Sequence, residues 1–103
     1  MITLNLINFV KDKNEAIMPE ICRFYGIIIK MFFRDHNPPH FHAEYGNYEA
    51  IFDIQTLYII EGELPNRAKL LVIEWAILHR KELLNNWEKA TRPDSIDKIE
   101  PLN

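Results

Sequence analysis

The chain reads as an α+β domain: a mostly antiparallel sheet of about four strands with one long or two short C-terminal helices on one face. Three observations carry that reading. Residues 21–33 are dense in β-branched and aromatic side chains, two alternating runs flank Gly46-Asn47, and from Leu64 onward apolar residues recur at three- and four-residue spacing until Pro93.

Taken in order, residues 2–10 fit either a strand or a helix with Ile2, Leu6, Phe9 and Val10 on one face. The polar run 11–15 (KDKNE) reads as a linker, dividing the chain into an N-terminal extension, 1–17, and one compact domain, 18–103. Ile21–Phe33 is one long strand or a bent pair, with Gly26 as the bulge or bend. Its Ile27, Ile29, Met31 and Phe33 make a wholly apolar face, against a mixed face of Ile28, Lys30, Phe32 and Arg34.

The Gly46-Asn47 pair suits a two-residue hairpin turn, which fixes the register of His40–Tyr45 against Tyr48–Asp53. Tyr45 then opposes Tyr48, Glu44 opposes Glu49, His42 opposes Ile51 and His40 opposes Asp53. One face is Phe41, Ala43, Tyr45, Tyr48, Ala50 and Phe52; the other is almost entirely titratable. A one-residue slip would scramble that division, so its cleanness supports the register. Asn37-Pro38-Pro39 reads as a stiff extended lead into this hairpin.

Leu57–Ile60 is a further short strand, ended by Glu61-Gly62-Glu63. Pro65 then suits a first helical turn, and the pattern runs to about Ala90 as one bent helix or two before Pro93 stops it. Residues 96–102 read as a short returning strand.

Composition narrows the function classes. A length of 103 residues with 48% hydrophobic content supports one small core, and the single cysteine, Cys22, excludes an internal disulfide. Neither a leader nor a long apolar span is visible, so a soluble cytoplasmic protein is expected. A net charge of −3 provides no global attraction to nucleic acid, although Arg23, Lys30 and Arg34 form a local basic set.

The chemistry concentrates at residues 35–44 (DHNPPHFHAE), which hold three of the four histidines. Histidine titrates near neutral pH and ligates metals, so three close together mark a reactive or binding surface. Four readings stay open. His36, His40 and His42 can hold zinc, with Glu44 or Asp53 as a further ligand, because same-face strand residues lie roughly 6.5 Å apart. Without metal, His40 and His42 can act as base and acid on a phosphodiester such as RNA, with Asp53 orienting His40 and Arg23, Lys30, Arg34 or Arg67 holding phosphate. Glu44 and Glu49 oppose that reading by repelling phosphate. Third, the face can bind a partner protein, with Arg23, Arg34, Glu44 and Arg67 as contacts. Fourth, it can be a solvated sheet face with no further role. Trp75, His79 and Trp87 read as core and core rim, and Cys22 as a buried strand residue.

The motifs at 18–27 (MPEICRFYGI), 35–46 (DHNPPHFHAEYG), 61–68 (EGELPNRA), 75–84 (WAILHRKELL) and 86–87 (NW) resemble a family of small bacterial proteins classed only as an uncharacterised domain. The resemblance covers residues 18–103 and brings no chemistry. It implies a context: such genes sit in two-gene, toxin–antitoxin-like pairs, hence a small partner protein from the neighbouring gene. Relatives start at the methionine matching Met18, so residues 1–17 depart from the pattern.

Overall fold

The computed structural model describes residues 19–92 and 95–103. The extension read over 1–17, with its strand-or-helix pattern, lies outside the described residues, as does the helix stop at Pro93. Within them, five strands form one sheet in sequence order, every neighbouring pair antiparallel: β1 (Glu20–Phe24), β2 (Ile27–Lys30), β3 (His40–Tyr45), β4 (Tyr48–Asp53) and β5 (Ile59–Glu63). Two helices follow, α1 (Asn66–Leu78) and α2 (Arg80–Thr91). The α+β class holds, with five strands in place of about four because residues 21–33 are a pair. Tyr25 and Gly26, both at positive φ, turn β1 directly into β2.

The β3–β4 register is the one the turn chemistry predicts, from His40 opposite Asp53 to Tyr45 opposite Tyr48. Phe41, Ala43, Ala50 and Phe52 are fully buried on the helix side, where Phe41 stacks on Phe52 and meets the edge of Trp75. Ile27, Ile29 and Met31 extend this core across β2, and Ala68, Val72 and Trp75 close it from α1. Cys22 is buried in β1, and burial pushes its thiol up, which suits a packing role.

Three boundaries differ from the sequence reading. The fifth strand, Ile59–Glu63, includes Glu61-Gly62-Glu63 and does not stop before them: Gly62, at φ +82, lies so close to β4 that a Cβ would sit 2.2 Å from the Glu49 carbonyl oxygen. A glycine read as punctuation is a close approach between strands. Of the two alternatives for the helical segment the structure has two helices, broken at His79 (φ −121, ψ 21), and the boundary that differs is at Pro65, which is the N-cap of the first helix and not a residue of its first turn. Residues 95–103 form no strand; one backbone bond joins Ile99 to Ile21, and buried side chains do the rest. Asn86 bonds both the N–H and the carbonyl of Asp97, and the Trp75 indole N–H donates to Glu100. No described helix is long and apolar enough to cross a membrane.

Candidate metal centre

His40 and His42 alternate with Phe41 on β3, so they leave the sheet on the side away from the helical core. That side is not open at this point: each histidine is only 6% exposed. The Phe32 ring lies 4.2 Å from the His42 ring, the Trp87 ring of α2 lies 5.0 Å from His40, and the two imidazoles are 5.4 Å apart, centroid to centroid.

The loop before β3 supplies the third group. The Asn37–Pro38 peptide is cis. Where the sequence predicts an extended lead, the chain bends at 37–38 and Asp35 returns to His40. The Pro38 carbonyl accepts from His40 Nδ1 at 2.7 Å, and Asp35 Oδ2 comes 2.8 Å from His40 Nε2. Asp35 Oδ1 is held by the His36 backbone N–H at 2.9 Å. Burial raises the proton affinity of Asp35, but the His36 N–H and the His40 ring together outweigh it and hold the carboxyl below its usual range.

The tautomers follow from the partners. A carbonyl oxygen can only accept, so His40 Nδ1 carries a proton and Nε2 faces Asp35. His42 Nδ1 lies 3.2 Å from Glu49 Oε2, an arrangement in which Nδ1 donates and Nε2 keeps its lone pair. His42 Nε2 is then buried without a hydrogen-bond partner. Asp35 Oδ2, at 3.7 Å, is within ion-pair reach of it but too far for a hydrogen bond. Asp35, His40 and His42 thus present one ligand atom each, all within 4.8 Å of one another. They line a cavity of about 290 Å³ whose walls include Phe32, Ile51 and Ile60.

The other candidate residues do not join the three. His36, a ligand in the sequence expectation, lines the same cavity with its ring 92% exposed and 6.2 Å from the His40 ring, and leans on Asp35 Oδ1 at 3.1 Å; Asp35 stands in the set of three in its place. Asp53 stands opposite His40 in register but does not orient it, because its Oδ1 accepts the N–H groups of Gln55 and Thr56 and holds the turn after β4. Glu44 pairs with Lys30 at 3.1 Å, and Arg23 with Glu20 at 2.8 Å. Arg34 is exposed at φ +58, and Arg67 lines a different, larger cavity that shares no residue with this one. The sequence patterns give Asp35 no role at the site, Trp87 only a place in the core or its rim, and Phe32 only a place on the mixed face of its strand. Asp35 opens the histidine-rich segment, and only the doubling back of the loop brings it to His40.

A protein family described as Domain of unknown function (DUF4160) matches residues 26–88, more than half of the chain. The chain belongs to that family. No curated protein and no solved structure matches it.

Proposed function

We propose that the domain binds a divalent transition-metal ion between Asp35 Oδ2, His40 Nε2 and His42 Nε2, and that a ligand reaches the ion through the 290 Å³ cavity. The observation that carries this reading is His42 Nε2, a buried acceptor with no donor. Leaving such an atom unsatisfied costs on the order of 1–3 kcal/mol. An imidazolium at His40 would satisfy its contact with Asp35 yet leave His42 Nε2 orphaned; a cation satisfies all three atoms together.

The surroundings support the same reading. Ligating histidines commonly donate the far ring nitrogen to a carbonyl or carboxylate, and both do so here, to Pro38 and Glu49. Two histidines and a carboxylate with an open position suit zinc, and also iron(II). A bound ion would supply Lewis acidity to a ligand oxygen. The protein's part is to fix both imidazoles, hold Asp35 through Oδ1, and exclude water with Phe32 and Ile51. Metal-free acid–base chemistry gains less support, since a base needs a free lone pair within reach of the substrate. Both nitrogens of His40 are engaged, which leaves His42 Nε2 as the one free lone pair of the two rings, where an acid–base pair needs two groups. RNA is disfavoured by Glu44, Glu49, Glu61 and Glu63 on this side of the sheet.

Elemental analysis of protein loaded with zinc and desalted should give near-stoichiometric metal, and a chelator should lower its melting temperature. Protein that leaves the column metal-free, with an unchanged melting curve, eliminates the reading.

The toxin–antitoxin-like partner is a second reading, supported by the outer edge of β5. Among the described residues nothing pairs with that edge, and Tyr58 and Ile60 beside it are 76% and 48% exposed. Co-expression with the neighbouring gene should co-purify the two products, and Ile60→Lys should release the partner. A pair that never associates removes this reading and leaves the metal centre untouched.

A further inference from the structure

The larger cavity, about 470 Å³, lies where the β1–β2 turn and the end of β3 meet α1. Its size is within the range of small-molecule sites. Tyr25 and Tyr45 present their rings, Leu71 and Leu102 complete an apolar wall, and Arg67 and Glu74 bring opposite charges. The missing side chain at Gly26 lets the Tyr45 ring close against the turn, where a Cβ would lie 3.3 Å from it.

Neither Arg67 nor Glu74 has a side-chain partner among the described residues, in contrast to Arg23 and Lys30, which are paired. Nor does the helix favour Arg67 where it stands. It is the second residue of α1, whose first turn contains no acid, and a helix N-terminus disfavours a cation. Arg67 and Glu74 are seven residues apart, roughly 10 Å along the helix axis, and do not bridge each other.

We propose that this cavity binds a nucleoside monophosphate whose base carries an amino group: the phosphate at Arg67, the base against Tyr25 and Tyr45, and the amino group donating to Glu74. Each lining group then has a use. Guanidinium matches phosphate, a phenol ring is a stacking platform for a base, and a carboxylate accepts from an exocyclic amine. An aromatic amino acid fits less well, because its two charges sit on one carbon while the cavity's lie two helical turns apart. A lipid chain would strip water from both charges without replacing it. The inference stands independently of the metal centre, with which the cavity shares no residue.

The test is NMR titration of the full chain with AMP, IMP, adenosine and inorganic phosphate. AMP should shift the amides of Tyr25, Tyr45, Arg67 and Glu74 saturably. IMP, which places a carbonyl where AMP has its amine, should bind about tenfold more weakly, as should adenosine, each losing one charge-assisted contact. Arg67→Ala should weaken AMP about tenfold, and Glu74→Gln should abolish the preference for AMP over IMP. Both side chains are exposed, so these variants keep the fold. No saturable shift with AMP, equal binding of AMP and phosphate, or AMP affinity unchanged by Arg67→Ala each overturns the proposal.

Discussion

On the helix side of the β3–β4 hairpin, Phe41 and Phe52 are fully buried, stack on each other and leave no polar atom to satisfy. On the opposite side of the same strands, His40 and His42 are buried nearly as deeply, yet one of their four ring nitrogens has no hydrogen bond. Equal burial therefore means different things on the two faces. On the first it is the source of stability; on the second it holds polar groups away from water at a cost, which a cation bound as proposed would offset.

The comparison breaks most visibly on the apolar face. Phe41→Ala removes a fully buried ring and should cost about 3–5 kcal/mol. A domain of this size has only about 5–15 kcal/mol in total. Urea denaturation should show the midpoint collapse. A loss under about 1 kcal/mol would mean that the stacked rings are not the core they are taken for.

Gly62→Ala tests the support of the polar face, since the new Cβ would press on the Glu49 carbonyl at 2.2 Å and so disturb the residue that orients His42. A cost of about 1–3 kcal/mol is expected from the crowding and the positive φ. Zinc affinity should fall with it. Stability lost with affinity unchanged would show that Glu49 does not control His42.

His42→Leu sharpens the contrast. In metal-free protein it should change stability by less than about 1 kcal/mol in either direction, because it deletes an unsatisfied polar atom while keeping most of the volume. The gain in melting temperature on adding zinc should disappear. A destabilisation as large as that of Phe41→Ala would erase the distinction between the faces.

The smallest effect belongs to the exposed Glu20–Arg23 pair. Glu20 lies below its usual carboxylate range, chiefly through its hydrogen bonds to Arg23. A depressed carboxyl stabilises the fold above its unfolded pKa, and the contribution is lost as pH falls through the folded one. Glu20→Gln should therefore barely move the melting temperature at neutral pH and flatten its pH dependence only in acid, because exposed pairs are weak.

Much of this was legible in the chain. Gly46-Asn47 sets the hairpin register, and the register alone separates Phe41 and Phe52 from His40 and His42. Spacing alone also put Trp75 and Trp87 in the core. Two things were not legible. Asp35 reaches His40 through a loop that doubles back, and Asn-Pro-Pro is equally consistent with a straight lead. Gly62 lies inside a strand because the neighbouring backbone comes close, and a glycine letter reads the same at a turn. Asp53 shows the limit of register itself, which gives the strand position opposite His40 but not the direction of a carboxylate that finds two backbone N–H groups of its own turn.

The central claim concerns four nitrogens, and long-range proton–nitrogen NMR of the imidazoles reads them directly. In metal-free protein, His40 and His42 should each carry a proton on Nδ1, and of the four nitrogens His42 Nε2 should be the bare one. One equivalent of zinc should shift both Nε2 resonances and leave His36 and His79 where they were. A His42 protonated at Nε2, or Nε2 signals that zinc does not move, would contradict the account.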